Sequence, residues 1–153
     1  MTEIEDRVSV IQAVAMMKSH LVTASAESTI AEAIDRMDIY QVDELPVIDE
    51  MGGYVGMVLE ADIAAYFLNY LQSASGRDGF QAAAMRPLRD VIRDPIAAVR
   101  DIEPVTWQLV ERLLTADRRI PVIDVSGKLI GSLNRVDVIQ ALIEHELIPK
   151  REG

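Results

Sequence analysis

The chain contains no cysteine, which removes disulfides, thiolate metal sites and a thiol nucleophile together. Its two histidines, His20 and His145, are far apart and have no ligand spacing, so a histidine-based metal centre has little to build on. No P-loop, GxGxxG or nucleophile elbow is present, and no set of catalytic residues assembles, so no enzyme is expected. The apolar runs are far short of a membrane span. The opening "MTEIEDRVSVIQ" is acidic and lacks the basic-then-apolar order of a signal peptide, so the expectation is a soluble, cytoplasmic protein without a membrane partner. Positive charge is also scarce. Fifteen Lys and Arg face 25 Asp and Glu, for a net charge of −10, and no basic stripe offsets the excess. Nucleic acid is therefore disfavoured as a partner. A small phosphorylated ligand stays compatible, because a few local cations outweigh distant acids that salt screens.

What is present is apolar and repeated. Half of the 153 residues are hydrophobic, which argues for a folded chain. Such a length buries ~70% of its unfolded surface, enough for a core without covalent staples. The stretch "DELPVIDEMGGYVGMVLEAD" (43–62) returns 75 positions later as "RRIPVIDVSGKLIGSLNRVD" (118–137). Pro46, Val47, Ile48, Asp49, Gly52, Gly56 and Asp62 recur as Pro121, Val122, Ile123, Asp124, Gly127, Gly131 and Asp137, seven identities in 17 positions. In the helix upstream a one-residue slip is indicated, since Met37 matches Leu113 better than Arg112. Two copies make a duplication and not a solenoid, which needs three or more repeats.

Each copy predicts the order β-α-β-β-α. A short extended piece leads to a helix in which Ile30, Ala33, Ile34 and Met37 share a face, with Ser28 as its cap; the counterpart spans Glu103 to Thr115. A hairpin follows, in which Gly52 and Gly127 supply the positive φ of the turn, and then a second helix. The expected division is a first unit over 8–72, a linker over 73–87 around "SASGRDG", and a second unit over 88–148. Neither unit covers its own sheet and helices, so the fold class expected is mixed α/β (α+β), with the two units packed in pseudo-two-fold symmetry.

The segment "GSLNRVD" (131–137) admits two readings. Asn134 is a good N-cap and Asp137 falls three positions later, so the pair reads as a capping box. The same helix start offers N–H groups and partial positive charge to a phosphate, and an Asp beside it suits ribose hydroxyls. The first copy has Leu59 where the second has Asn134, and leucine neither caps nor holds phosphate. Asp43, Glu44, Asp49 and Glu50 form an acidic cluster that reads as a solvated loop before it reads as a cation site. Trp107 and the aromatics Tyr66, Phe67 and Tyr70 raise the question of a subunit interface, against the simpler reading of buried stripes.

On these motifs the chain resembles a CBS-domain pair, over roughly Val14–Leu71 and Leu88–Ile143. The signature is an apolar residue, Pro-Val-apolar-Asp, a glycine turn, Gly-apolar-apolar and an Asp opening the last helix, all present twice. The resemblance implies a regulatory module that binds an adenosine-containing ligand in the cleft between its copies, and that pairs into a homodimer. It implies ribose binding by Asp137 and, in the other copy, Asp62. The family places Ser or Thr where this chain has Asn134, a departure that keeps a donor for phosphate. It also implies that Arg118 and Arg119, just before the second Pro-Val, lie beside ligand phosphates, where the first copy has two acids. Gly131 permits close approach. Val22 and Thr23 in one copy, and Ile96, Ala97, Ala98, Ile120 and Pro121 in the other, are candidates for an adenine slot, or are ordinary core. The expected ligand is an adenine nucleotide (AMP, ADP or ATP) in a regulatory role, with no catalytic cofactor and no metal. S-adenosylmethionine, NAD and a cyclic dinucleotide stay open, as does a ligand-free dimer that only binds an unidentified protein.

Overall fold

The computed structural model describes residues 21–73, 76–92, 98–116 and 118–144. They form two compact units, one over 22–92 and one over 98–144. In the first, β1 (Ala24–Ser25) leads through α1 (Ile30–Tyr40) to the hairpin β2 (Glu44–Ile48) and β3 (Tyr54–Leu59), then α2 (Glu60–Leu71) and α3 (Gly76–Ala84). In the second, β4 (Val99–Arg100), α4 (Trp107–Thr115), β5 (Ile120–Ile123), β6 (Leu129–Leu133) and α5 (Arg135–Glu144) repeat the first five elements. The fold is mixed α+β with a three-stranded sheet in each unit.

The 75-residue repeat holds down to single strand pairs. The short strand lies parallel to the middle one, with Ala24 opposite Val47 and Val99 opposite Val122. The hairpins are antiparallel, with Leu45 opposite Val58 and Ile120 opposite Leu133. Both carry a register shift at the same place, between Val47 and Ile48 and between Val122 and Ile123. The aspartate that ends each Pro-Val-Ile-Asp builds the turn. Oδ1 of Asp49 accepts from the N–H of Met51 and Gly53 at 2.9 and 2.8 Å. Oδ1 of Asp124 accepts from the N–H of Ser126 and Lys128 at 2.8 and 3.0 Å, and from the Ser126 hydroxyl. That hydroxyl first, and then the turn's N–H groups, hold the Asp124 carboxyl below its usual range. Gly52 and Gly127 stand at φ +82° and +87°, the left-handed backbone expected of them.

The first helix of each unit shows the one-residue slip. Ala33 and Met37 are buried in α1, and Leu109 and Leu113, each 76 positions on, are buried in α4. The guanidinium groups obey the same offset: Arg36 Nε donates to Thr23 O at 2.8 Å and Arg112 Nη2 to Ala98 O at 3.3 Å. The cap of α1 differs from expectation. Thr29, not Ser28, has the extended N-cap backbone and accepts from Glu32 N–H, while the Ser28 N–H is held by Ser25 O. Ile34, expected on the buried face, is 38% exposed. In the second unit the helix begins at Trp107, capped by the Thr106 hydroxyl, so 103–106 lead into it.

The stretch 73–87, linker-like in composition, includes α3. Phe80 of this helix stacks on Phe67 of α2, with ring centroids 4.4 Å apart. Tyr66 meets Phe67 edge-on and lies beside Tyr70, so the aromatics of α2 are satisfied largely within their own unit. Leu88 and Val91 of the next short helical turn bury in the first unit's core, where Leu88 N–H donates to Ser28 O.

Candidate functional site

Of the residues singled out in the second copy, Asn134 and Asp137 meet where β6 passes into α5. Asn134 Oδ1 accepts the Asp137 N–H at 2.7 Å, so Asn134 caps the helix. The return half of a capping box is absent among the described residues: Asp137 Oδ2 is buried without a hydrogen-bond partner. The cap and the phosphate reading are therefore compatible. Capping occupies one oxygen of Asn134 and one N–H of the first turn. The Asn134 amide NH2 and the N–H groups of Arg135 and Val136, for which the described residues supply no acceptor, remain.

A cation stands beside this turn. Ile120 pairs with Leu133, so Arg119 and Asn134 flank the end of the hairpin and their side chains share a face with Pro121 and Ser132. Arg119 Nη1 donates to Ser132 Oγ at 3.2 Å. Ser132 is 1% exposed, the one buried polar residue among those described. Arg118 is exposed. Gly131 is buried opposite Val122. Ile120 faces the other way, into the core with Leu109, Leu113 and Leu133, whereas the fully buried Pro121 lies on the Arg119 face. Ala98 is half-buried with its carbonyl on Arg112, and Ile96 and Ala97 lie outside the described residues, as do His20 and His145.

The first unit places different chemistry on the same frame. Leu59 occupies the N-cap of α2 and makes no side-chain bond to it, and Asp62 sits in the first turn. Glu44 stands where the second unit has Arg119, and Met57 where it has Ser132. Val22 packs on this unit's core and Thr23 accepts from Arg36 through its carbonyl. Asp49 of the acidic cluster holds the turn, and among the described residues no group of three or more His, Cys, Asp or Glu is placed to hold a metal. Ser132 lies in the apolar strand "LIGSL" and carries no site signature in the sequence; its mismatch with Met57 at the same repeat position is the one signal there.

Trp107 is 39% exposed at the start of α4 while Val110, on the same side, is buried. No described helix is long and apolar enough to cross a membrane.

Known proteins resemble the chain over most of its length. The chain is 22% identical over 129 residues to a CBS domain-containing protein of Dictyostelium discoideum, covering 84% of this chain and 89% of that one. It is 26% identical over 144 residues to inosine-5'-monophosphate dehydrogenase of Methanocaldococcus jannaschii, covering 90% of this chain but only 25% of the enzyme. Among solved structures it resembles CBSX2, a CBS-pair protein from Arabidopsis thaliana crystallised in complex with AMP, with a TM-score of 0.66 and 28% identity over 88% of this chain and 97% of that one. The CBS domain matches twice, over residues 11–69 and 88–144, and the chain belongs to the CBS domain family.

Proposed function

We propose that the protein is a non-catalytic regulatory module that binds an adenine nucleotide (AMP, ADP or ATP) at the second unit, around Asp137. The observation that carries this reading is the buried, unpartnered Oδ2 of Asp137 beside a capped helix start and an anchored Arg119. An acceptor buried without a partner costs about 1–3 kcal/mol, a cost that ribose hydroxyls donating to it would remove. The free N–H groups of α5, the Asn134 amide and Arg119 would meet the phosphate. The AMP complex of the similar CBSX2 supports the ligand class. Asp62 would serve the weaker, first-unit position, since Leu59, Asp43 and Glu44 offer nothing to a phosphate. Signalling then requires that the ligand favour one conformation or one assembly over another, passed to an unidentified protein partner in the cytoplasm.

The assembly we infer is a homodimer. Val136, Ile139 and Ile143 form an exposed apolar line on α5, and Leu68, 75 positions before Ile143, is exposed on α2. Light scattering of the purified protein is expected to give twice the chain mass, reduced to one by Ile143→Glu; a monomeric wild type would overturn this.

Thermal unfolding with AMP, ADP, ATP, S-adenosylmethionine and NAD, beside Asp137→Ala, tests the ligand. Saturation at a hundred times Kd adds ~2.7 kcal/mol, a clear rise in midpoint. A rise with adenine nucleotides that Asp137→Ala abolishes supports the reading, and no rise with any of them in folded protein turns it toward a ligand-free interaction module.

A further inference from the structure

We infer that Ser132 is a positioning residue: its hydroxyl fixes the guanidinium of Arg119 beside the start of α5, and so makes this unit select ligands that carry a phosphate. The inference rests on the functional reading above and deepens it.

A serine is an unexpected residue at the buried, next-to-last position of β6. Its neighbours Gly131 and Leu133 are buried, the position itself is 1% exposed, and the first unit fills it with the apolar Met57. Burying a hydroxyl in such a place is unfavourable unless it is hydrogen-bonded. The bond it accepts comes from Arg119 Nη1, 13 residues away across the hairpin. Arginine is a long side chain that loses much rotamer freedom when held, and an unheld one at the end of a hairpin would sample many positions. Fixing one Nη leaves the other donors of the planar fork in a set orientation, which is what recognition of an anion requires.

The repeat provides an internal comparison. Ser132 and Arg119 occur together in the second unit, and Met57 and Glu44 occur together at the same two places in the first. Where the cation is missing, so is the hydroxyl that would hold it. The first-unit frame has the same strand register, so the difference lies in these side chains and not in the backbone.

The test uses the whole chain, with Ser132→Ala, Ser132→Thr and Arg119→Ala. In ligand-free protein, nitrogen-15 NMR of the Arg119 side chain is expected to show slowed exchange and restricted rotation, lost in Ser132→Ala and restored in Ser132→Thr. In calorimetry, Ser132→Ala is expected to weaken AMP by roughly fivefold and leave adenosine unchanged, with the double variant Ser132→Ala/Arg119→Ala no weaker than Arg119→Ala alone. A merely structural serine would weaken AMP and adenosine together, and that result overturns the inference, as does a mobile Arg119 guanidinium in the wild type. If wild type binds neither AMP nor adenosine, the functional reading fails and the selectivity fails with it, while the NMR result still decides whether Ser132 holds Arg119.

Discussion

The N–H of Asp137 is held by the side chain of Asn134 at 2.7 Å while the Asp137 carboxylate has a buried oxygen that no described residue meets. Two residues thus meet at one helix start, and the bond between them satisfies the fold while one carboxylate oxygen stays unmet among the described residues.

The cap can be separated from the ligand by copying the first unit. Asn134→Leu places at α5 what Leu59 already is at α2, a cap position with no side-chain bond. Loss of an Asn cap costs about 1 kcal/mol, so the denaturation midpoint is expected to fall modestly. AMP binding is expected to fall further, because the amide donor goes with the cap. Asn134→Ser is expected to keep both. Equal losses of stability and binding in the two variants would show that the side chain does nothing beyond packing.

Asp137→Asn is expected to separate stability from binding in the opposite sense. The substitution removes a favourable charge from the first turn of α5, about 0.3–1 kcal/mol. It also replaces a buried anionic oxygen without a partner by a neutral amide, which is less costly to leave unpaired, so the two effects oppose each other. Ligand-free protein is therefore expected to unfold within about 1 kcal/mol of wild type, while the rise given by AMP disappears. A larger fall in the ligand-free midpoint would mean that Asp137 is a structural residue of the helix start.

Much of this is legible in the sequence. The hairpin, its glycine turn and the helix after it recur at a fixed offset, and such local patterns are read directly from composition and period. The slip between Met37 and Leu113 was visible for the same reason. The cap of α1 was not, because Ser28 and Thr29 are both competent and only the backbone decides between them. Nor was Phe80 on Phe67, since α3 lies in a stretch whose Gly and Ser suggest a linker. Ile120 shows a third kind of limit. Adjacent strand residues point to opposite faces, so Pro121 shares the face of Arg119 and Ile120 does not, and it is the packing of the unit that makes the Ile120 face the core.

The alkaline limb of stability should depend on Tyr54. Burial first, and the Glu44 charge second, push its hydroxyl up to about 12 from an ordinary 10.0. The folded protein therefore keeps a proton that the unfolded chain gives up. Its contribution is complete below pH 10 and is lost as pH rises from 10 toward about 12. Urea denaturation across this range is expected to show a shallower decline in Tyr54→Phe than in wild type. Tyr66 is raised to about 12 as well, by burial and then by its hydrogen bond to Tyr70, so the variant's remaining slope belongs in part to that pair. An unchanged slope in Tyr54→Phe would place the effect elsewhere.

The inequality of the two units should be reversible by transplanting side chains. Glu44→Arg, Met57→Ser and Leu59→Asn give the first unit the cation, the anchor and the cap of the second, on a hairpin that already has the same pairing and the same register shift. Asp62 already stands in the first turn of α2, at the place of Asp137. The cost is concentrated at Met57, which is 4% exposed, and trimming a buried methionine loses about 2 kcal/mol or more. Calorimetry is expected to give one AMP per chain for wild type and two for the triple variant, with Met57→Ser alone remaining at one. Two sites in wild type would show that the acidic first unit already accepts phosphate, against the sign of its charges. A folded triple variant that stays at one would show that the anion site depends on more than the hairpin and its helix.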